Sequence, residues 1–205
     1  MKLGFFLQGD NKVYYDLASK MIASARKFMP DVPIFHFTDY RSNIADGVDM
    51  HVRIGGDLPM AMRRMEHHAG CYGDWLFVDP DVIFQKDVRD VFDEDFDVAL
   101  TDRIGTYMEN TEYAKQQPYN MGVTFSRNPL FWAEVKRRLG KYPEKYQQWE
   151  GDQIVVCEMA ADQKTPFDIV IIPGKTYNFT PEKQDEDLSH AAIIHYKGAR
   201  KAWIK

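Results

Sequence analysis

The 205-residue chain is long enough for one sizeable core, and its 44% apolar and 28% charged residues are typical of a globular protein. Its net charge of −5 gives no general affinity for polyanions, so a nucleic-acid partner is not expected. The apolar run within residues 1–8 is shorter than a signal peptide needs, so none is expected, and no stretch approaches the ~20 apolar residues of a membrane span. Cys71 and Cys157 form no paired-cysteine motif, so we expect a soluble, cytoplasmic protein without integral membrane association.

The first part of the chain alternates between apolar runs and helical spacing. We predict a buried strand at 3–7, a helix at 11–28 that Pro30 ends, and a second strand at 32–38. Such a βαβ unit implies parallel strands. A short strand near 50–54, a helix at 59–69 and a buried strand at 75–78 follow.

The remainder of the chain continues the alternation. We predict an extended segment at 82–84, strands at 97–101, 119–126, 167–172 and 191–195, and helices at 129–139 and 149–160. The polar and aromatic segment 106–117 is predicted to be a mobile loop over a cleft. Alternating strands and helices indicate an α/β fold, and no linker or repeat divides the chain, so we expect a single domain over residues 1–205.

The most informative feature of the sequence is the predicted strand at 75–78, which ends in Asp79-Pro80-Asp81. Carboxylates at the carboxyl end of a core strand lie where open α/β sheets bind their ligands. Two of them at positions i and i+2 can hold one divalent cation, and Mg²⁺ or Mn²⁺ prefers such oxygen ligands together with substrate phosphates and water. The alternative is an ordinary turn, because Asp-Pro-Asp favours turns in any protein.

A second feature lies near the end of the chain, where His195 follows an apolar run and is a possible third metal ligand. Lys197, Arg200 and Lys201 put three cations within five residues, and Gly198 allows a close approach of the backbone to a ligand. A basic loop beside a metal ligand suits a diphosphate. The alternatives are a hydrogen-bonded structural histidine and a solvated tail.

Four further positions carry weaker signals. Asn120 offers both a donor and an acceptor to substrate hydroxyls, or else marks a turn that enters a strand. Asp152, which precedes Gln153, is a candidate functional residue, and the alternative is that it serves only as a helix N-cap. Arg63 or Arg64, on the predicted helix at 59–69, reaches a phosphate or the aspartate pair, or else faces water.

Taken in order, these motifs resemble those of the glycogenin and bacterial lipopolysaccharide galactosyltransferase family, glycosyltransferase family 8. The family pattern is an apolar strand ending in Asp-x-Asp, followed by Asn-x-Gly-Val, Asp-Gln, Tyr-Asn and a closing His-x-x-Gly-x-x-Lys-Pro-Trp. The corresponding segments of this chain are Asp79-Pro80-Asp81, Asn120-Met121-Gly122-Val123, Asp152-Gln153, Tyr177-Asn178 and His195-Tyr196-Lys197-Gly198-Ala199-Arg200-Lys201-Ala202-Trp203. The resemblance spans nearly the whole chain, with Ala202 in place of the proline.

The resemblance implies a GT-A fold, a Rossmann-like nucleotide-diphospho-sugar transferase fold. It also implies a retaining transfer of a hexose from a nucleotide-diphosphate sugar, usually a UDP-sugar, to a hydroxyl acceptor, with Mn²⁺ or Mg²⁺ bridging the diphosphate. Residues 1–82 would mainly bind the nucleotide, and residues 83–205 would mainly form the sugar and acceptor half, including the metal and diphosphate loop. The chain ends two residues past Trp203 and is shorter than typical members, so we expect the usual C-terminal helices that touch acceptor or membrane to be missing, which bears on acceptor identity and membrane association more than on donor binding.

The resemblance assigns donor-site roles by position. The implied metal ligands are Asp79, Asp81 and His195, the diphosphate contacts are Gly198 and Lys201, and the base or ribose contacts are Gln8 and Asp39. Arg63 or Arg64 takes the place of the family's donor-contacting arginine.

The same resemblance places Asn120, Asp152 and Gln153 in the sugar and acceptor pocket. Lys201 adds a fixed cation that stabilises the leaving group. Gln153 is poorly nucleophilic, which favours front-face attack with the leaving phosphate taking the proton, while Asp152 as a transient nucleophile is the alternative.

Two other functions fit parts of the sequence. A nucleotidyltransferase would show a Gly-rich, basic loop after the first strand, whereas residues 8–12 contain one glycine and one lysine. A non-catalytic nucleotide-sugar-binding module would keep the fold, but all the implied metal ligands are present. The sequence leaves the sugar, the acceptor and the oligomeric state open.

Overall fold

The computed structural model describes residues 1–106 and 108–204, and its centre is a mixed sheet of seven strands. In chain order these are β1 (Lys2–Phe6), β2 (Ile34–Thr38), β3 (Met50–Arg53), β4 (Trp75–Val78), β6 (Val98–Asp102), β7 (Tyr119–Ser126) and β8 (Ile169–Ile172). Their order in the sheet is β3-β2-β1-β4-β7-β6-β8. β7 is antiparallel to both of its neighbours, and the other pairs are parallel.

Helices cover both faces of this sheet. They are α1 (Lys12–Phe28), α2 (Met60–Ala69), α3 (Glu112–Gln116), α4 (Pro129–Leu139), α5 (Glu144–Gln148), α6 (Gly151–Ala161) and α7 (Gly174–Tyr177), with 3-10 helices at Arg89–Asp93 and Gly198–Trp203. Asn11 caps α1 by accepting a hydrogen bond from the amide of Val13 at 3.1 Å. None of the described helices is long and apolar enough to cross a membrane.

The core has two layers because the strand period of two sends alternate side chains of β1 and β4 to opposite faces of the sheet. Leu76 and Val78 of β4 pack in the layer that includes α1. Trp75 and Phe77 pack in the layer of α2, α4 and α6, against Trp132. β4 is therefore buried on both faces, as its unbroken apolar sequence predicts.

A small second sheet joins two remote parts of the chain. β5 (Val82–Phe84) pairs antiparallel with β9 (Ile193–His195), with Val82 opposite His195. The amide of Tyr196 donates to the carbonyl of Asp81 at 3.0 Å and extends this pairing toward β4. The end of the chain is thereby fixed beside the residues that follow β4.

Most predicted elements are confirmed. The strands at 75–78 and 119–126 and the helix at 129–139 have the predicted bounds, and β1 is parallel to β2 as the βαβ pattern indicates. The prediction of a mobile loop over 106–117 is wrong in part, since Thr111 caps the short helix α3 by accepting from the amide of Ala114 at 3.1 Å. Tyr107 lies outside the described residues. The short helices α5 and α7 were not predicted.

Three histidines are buried within the aromatic core. The ring of His36 stacks on Phe5 with centroids 4.8 Å apart, and that of His68 stacks on Phe77 at 3.8 Å. Nδ1 of His36 accepts from the amide of Ala45 at 3.2 Å and Nε2 lies 3.0 Å from the carbonyl of Leu7, a pattern that requires the neutral ring. Burial lowers the pKa of His36 to about 4.

The other two histidines of this group behave alike. Burial lowers the pKa of His67 to about 4 and the pKa of His68 well below its ordinary value of 6.5. A histidine whose pKa is depressed on folding contributes stability that is fully present above its unfolded pKa. This contribution is lost as the pH falls from the unfolded pKa to the folded pKa.

We therefore expect the free energy of unfolding to decrease between pH 6.5 and 4, by up to about 1.4 kcal/mol per pH unit for each buried histidine. Urea unfolding followed by circular dichroism at several pH values measures this slope. The slope should become shallower in His36→Gln and stay unchanged in the control His51→Gln, because His51 is exposed. A flat profile between pH 6.5 and 5 would contradict the assignment.

Candidate functional site

The two aspartates that follow β4 lie at the carboxyl end of the central strands. The amide of Asp79 donates to the carbonyl of Gly122 at 2.9 Å, which ties this turn to the neighbouring strand β7. The Asp81 side chain is buried, whereas that of Asp79 is partly open to a cleft. The turn thus presents two carboxylates to one volume, as the sequence predicts.

The pairing of β5 with β9 brings His195 to these carboxylates. Its Nε2 lies 3.1 Å from Oδ1 of Asp81 and 3.5 Å from Oδ2 of Asp79. One potential ligand atom from each of the three residues lies within 4.8 Å of the others. Two carboxylates and one imidazole form a donor set that suits a divalent cation such as Mn²⁺ or Mg²⁺.

Asn178 sets the proton position on the His195 ring. The amide nitrogen of Asn178 donates to Oγ1 of Thr101 at 2.7 Å and to Oδ1 of Asn120 at 2.8 Å, which leaves its own oxygen as an acceptor. That oxygen lies 2.9 Å from Nδ1 of His195. Nδ1 therefore carries a proton, and Nε2 faces the two aspartates, which is the ring orientation required of a metal ligand.

Gly122 provides the space for this ring. A Cβ atom at Gly122 would overlap the imidazole of His195 and would lie 2.8 Å from Oδ1 of Asn120. The same Asn120 oxygen accepts a hydrogen bond from the Gly122 amide at 2.9 Å. The spacing Asn-x-Gly in β7 is thus explained by the close packing of a strand against a histidine.

The basic loop contributes two lysines to the site. Nζ of Lys201 lies 2.7 Å from Oδ2 of Asp81. Burial alone raises the pKa of Asp81, but His195 and Lys201 together hold it well below its usual value, so this carboxyl stays ionised. Burial lowers the pKa of Lys197 to about 7, with Arg103 acting in the same direction.

Arg64 links the metal-ligand region to α6. Its guanidinium binds the carboxylate of Asp152, with Nε 2.7 Å from Oδ2, and lies 3.7 Å from Oδ1 of Asp79. Asp152 has 0% of its surface exposed, so this ion pair compensates a fully buried charge. Burial lowers the pKa of Arg64, but the two aspartates outweigh it and the net shift is upward.

Arg63 and Asp39 require a correction, because neither lines the cleft. The guanidinium of Arg63 is buried against Asp39 at 3.3 Å and donates to the carbonyl of Gly56 at 2.7 Å. Asp39 also accepts from the amide and hydroxyl of Ser42, and that hydroxyl accepts from the amide of Gly9. The two residues therefore brace the loops around the cleft, and Arg64 is the arginine that reaches it.

Gln153 is held at both ends of its amide. Its nitrogen donates to the hydroxyl of Tyr113 at 3.0 Å and to the side-chain oxygen of Gln117. Its oxygen lies 3.3 Å from Nδ2 of Asn120 and 3.4 Å from the backbone nitrogen of Met121. Helix α3 is thereby connected to α6 and β7 across the cleft.

These side chains line one cavity of about 510 Å³. The predicted site residues in its lining are Gln8, Asp79, Asp81, Asn120, Asp152, Gln153, His195, Gly198 and Lys201. The side-chain oxygen of Gln8 is buried and has no hydrogen-bond partner among the described residues. It is therefore an acceptor available to a ligand.

Sequence reasoning missed several lining residues, namely Tyr14, Met60, Tyr113, Gln148 and Trp149. Tyr113 lies in the segment predicted to cover a cleft, and Trp149 lies three residues before Asp152 of the Asp-Gln motif, so proximity to those features was the available signal. Gln148 and Met60 gave no signal. Their place follows from the packing of α5 on α2, where the amide of Met60 donates to the side chain of Gln148.

Several solved structures resemble this chain. The galactosyltransferase LgtC, in complex with donor and acceptor sugar analogs, aligns with a TM-score of 0.60 at 15% identity, over 97% of this chain and 88% of that chain. The glycosyltransferase GlyE of Streptococcus pneumoniae TIGR4 aligns with a TM-score of 0.66 at 16% identity, over 99% of this chain and 60% of that chain. A glycosyltransferase involved in glycosylation of the major capsid of PBCV-1 aligns with a TM-score of 0.61 at 14% identity, over 100% of this chain and 98% of that chain.

At these identities the structural matches show the shared fold, which is the GT-A fold that the motifs predict. A search of curated proteins finds no match. Residues 73–202 match the family model described as nucleotide-diphospho-sugar transferase, and this range includes the aspartate pair, the Asn-x-Gly and Asp-Gln motifs and His195. The chain therefore belongs to the nucleotide-diphospho-sugar transferase family and is a glycosyltransferase.

Proposed function

We propose that this glycosyltransferase is a metal-dependent, retaining enzyme that moves a hexose from a nucleotide-diphosphate sugar, expected to be a UDP-sugar, to a hydroxyl acceptor. The observation that carries the proposal is the convergence of Asp79, Asp81 and His195 beside Lys201 in one cavity. Residues more than 100 positions apart in sequence meet there with a donor set for a divalent cation and an adjacent fixed cation.

Asp79, Asp81 and His195 would hold Mn²⁺ or Mg²⁺, and such an ion, when bound, neutralises charge on a departing diphosphate. Lys201 extends toward the same region and would pair with phosphate oxygens. Gly198 lines the cavity and adopts a positive φ of 60°, a conformation that favours glycine. These residues supply electrostatic stabilisation of the leaving group.

The nucleotide is proposed to lie mainly against residues 1–82, and residues 83–205 are proposed to form the sugar and acceptor half. Gln8, at the end of β1, supports this division because its buried, unpaired oxygen can accept a hydrogen bond from a base or ribose. Asp39 would act indirectly, since it holds Ser42, which binds the backbone of Gly9 next to Gln8.

Asn120, Asp152 and Gln153 are proposed to line the hexose and acceptor pocket. The Gln153 amide is engaged at both ends and the Asp152 carboxylate is neutralised by Arg64, so neither is a strong nucleophile. These contacts favour front-face attack. The anomeric carbon–phosphate oxygen bond breaks, the bond from the acceptor oxygen forms on the same face, and the hydroxyl proton passes to a phosphate oxygen.

We also propose a cytoplasmic location. Cys71 and Cys157 are both unpaired and buried, as is usual for proteins of a reducing compartment.

The direct test combines thermal shift with turnover. UDP-glucose, UDP-galactose and UDP-N-acetylglucosamine, each with and without Mn²⁺, are compared with GDP-mannose, because a ligand that binds the folded state raises the melting temperature. We expect a UDP-sugar with Mn²⁺ to give the largest shift and a measurable release of UDP. Tight UDP binding without turnover would instead support a non-catalytic binding module.

The metal assignment is tested by Asp79→Asn and Asp81→Asn. Each should lower Mn²⁺-dependent transfer by about a hundredfold or more, because a neutral amide replaces a carboxylate ligand. The control Asp87→Asn alters an exposed acidic residue that pairs with Arg89 and should leave transfer unchanged. Full activity of either site variant at saturating Mn²⁺ would refute the assignment.

Asn178 allows a test that does not depend on turnover. Replacing it with alanine removes the acceptor that holds Nδ1 of His195, so Mn²⁺ affinity should fall about ten- to hundredfold. Electron paramagnetic resonance of free Mn²⁺ during titration measures this affinity. The matched control Asn128→Ala removes the cap of α4, and it should lower stability without changing Mn²⁺ binding. Equal affinities of wild type and Asn178→Ala would contradict the proposed orientation of His195.

A further inference from the structure

Trp149 has an unusual environment for a tryptophan. Its side chain lines the cavity of the proposed site, yet the residue is 67% exposed, whereas Trp75 and Trp132 are 5% and 0% exposed. Within residues 1–106 and 108–204, no ring stacks on its indole and no acceptor binds its Nε1. A large aromatic surface without an intramolecular partner, at the rim of a ligand cavity, is typical of a contact surface for a ligand.

The backbone around Trp149 is held in place even though the indole is open. Glu150 adopts a left-handed conformation with φ 69°. Among the residues that the structure describes, it is the one residue other than glycine with a positive φ. Its carboxylate accepts from the side-chain amide of Gln117 at 3.1 Å. On the other side, Gln148 accepts from the amide of Met60 at 3.2 Å. Strained, over-determined backbone of this kind clusters at functional sites, where it fixes the direction of a neighbouring side chain.

The chemistry beside the indole matches a sugar ring. A pyranose has an apolar face of C–H groups and a rim of hydroxyls. The face of an indole accepts the apolar side. Gln148 and Glu150, which flank Trp149 and also line the cavity, can bind hydroxyls on the rim.

The position of Trp149 favours the acceptor over the donor. Asp152, only three residues further on, is fully buried at the floor of the cavity, and the proposed diphosphate contacts lie on a different element, the 3-10 helix at Gly198–Trp203. The donor hexose, which is attached to the diphosphate, therefore has its contacts at the floor. The exposed rim remains for a second sugar that enters from solvent.

We propose that Trp149 is the platform on which a pyranose ring of the acceptor stacks, so that the acceptor is a carbohydrate. This inference rests on the proposed function and narrows its acceptor from any hydroxyl compound to a sugar.

Binding of free sugars tests the platform without turnover. The full chain, with UDP and Mn²⁺ present, is titrated with lactose, cellobiose and maltose while tryptophan fluorescence is recorded. At least one disaccharide should change the emission of wild-type protein and give a heat of binding in a parallel calorimetric titration, and the heat of binding should be lost in Trp149→Ala, which lacks the fluorophore. The control Tyr72→Ala, which removes an equally exposed aromatic ring outside the cavity, should respond like wild type. No response of wild type to any of the three sugars would overturn the proposal.

Kinetics then separate acceptor from donor. In Trp149→Ala, KM for the disaccharide should rise roughly tenfold or more, while hydrolysis of the donor by water stays unchanged and Trp149→Phe stays near wild type. A parallel loss of donor hydrolysis would assign the ring to the donor hexose and overturn the proposal. If wild type releases no UDP from any nucleotide sugar, the proposed function fails, and the calorimetric titration still decides whether Trp149 binds sugar.

Discussion

The site depends on the antiparallel pairing of two three-residue strands, β5 and β9, which places Val82 opposite His195. This register places the imidazole of His195, the first residue of the closing motif, against the carboxylate of Asp81, more than 100 residues earlier in the chain. A shift of one residue would turn His195 to the other face of the small sheet and separate the three ligands. The hydrogen bond from Tyr196 to Asp81 and the packing of Ile193 in the core hold the register in place.

Charge compensation makes this arrangement compatible with folding. A buried carboxylate is costly unless it is paired, and the site contains two, Asp81 and Asp152. Lys201 compensates the first, and Arg64 compensates the second. Lys201 is also the side chain that the proposed chemistry places beside the diphosphate, as is expected of a pre-organised electrostatic site.

The central strands and the site motifs could be predicted because they depend on local sequence. The unbroken apolar run of β4 and the capped helix α1 each carry their own signal. The pairing of β5 with β9 carries none, since three-residue strands are too short for a pattern and their contact is long-range. The choice between Arg63 and Arg64 was equally hidden, because neighbours on a helix point about 100° apart and only tertiary packing decides which one is buried. The exposure of Trp149 in the cavity could not be predicted for the same reason, because it depends on tertiary packing.

One side chain connects the reaction to the integrity of the fold. Because the guanidinium of Arg64 neutralises a carboxylate with no access to water, removing it would leave an isolated charge in the interior, at a cost of about 3–5 kcal/mol. That amount is a large part of the stability of an ordinary domain. Both the proposed activity and the stability of the fold therefore restrict substitution of Arg64. A homologue without catalytic activity would still need this arginine, unless Asp152 were replaced by a neutral residue at the same time.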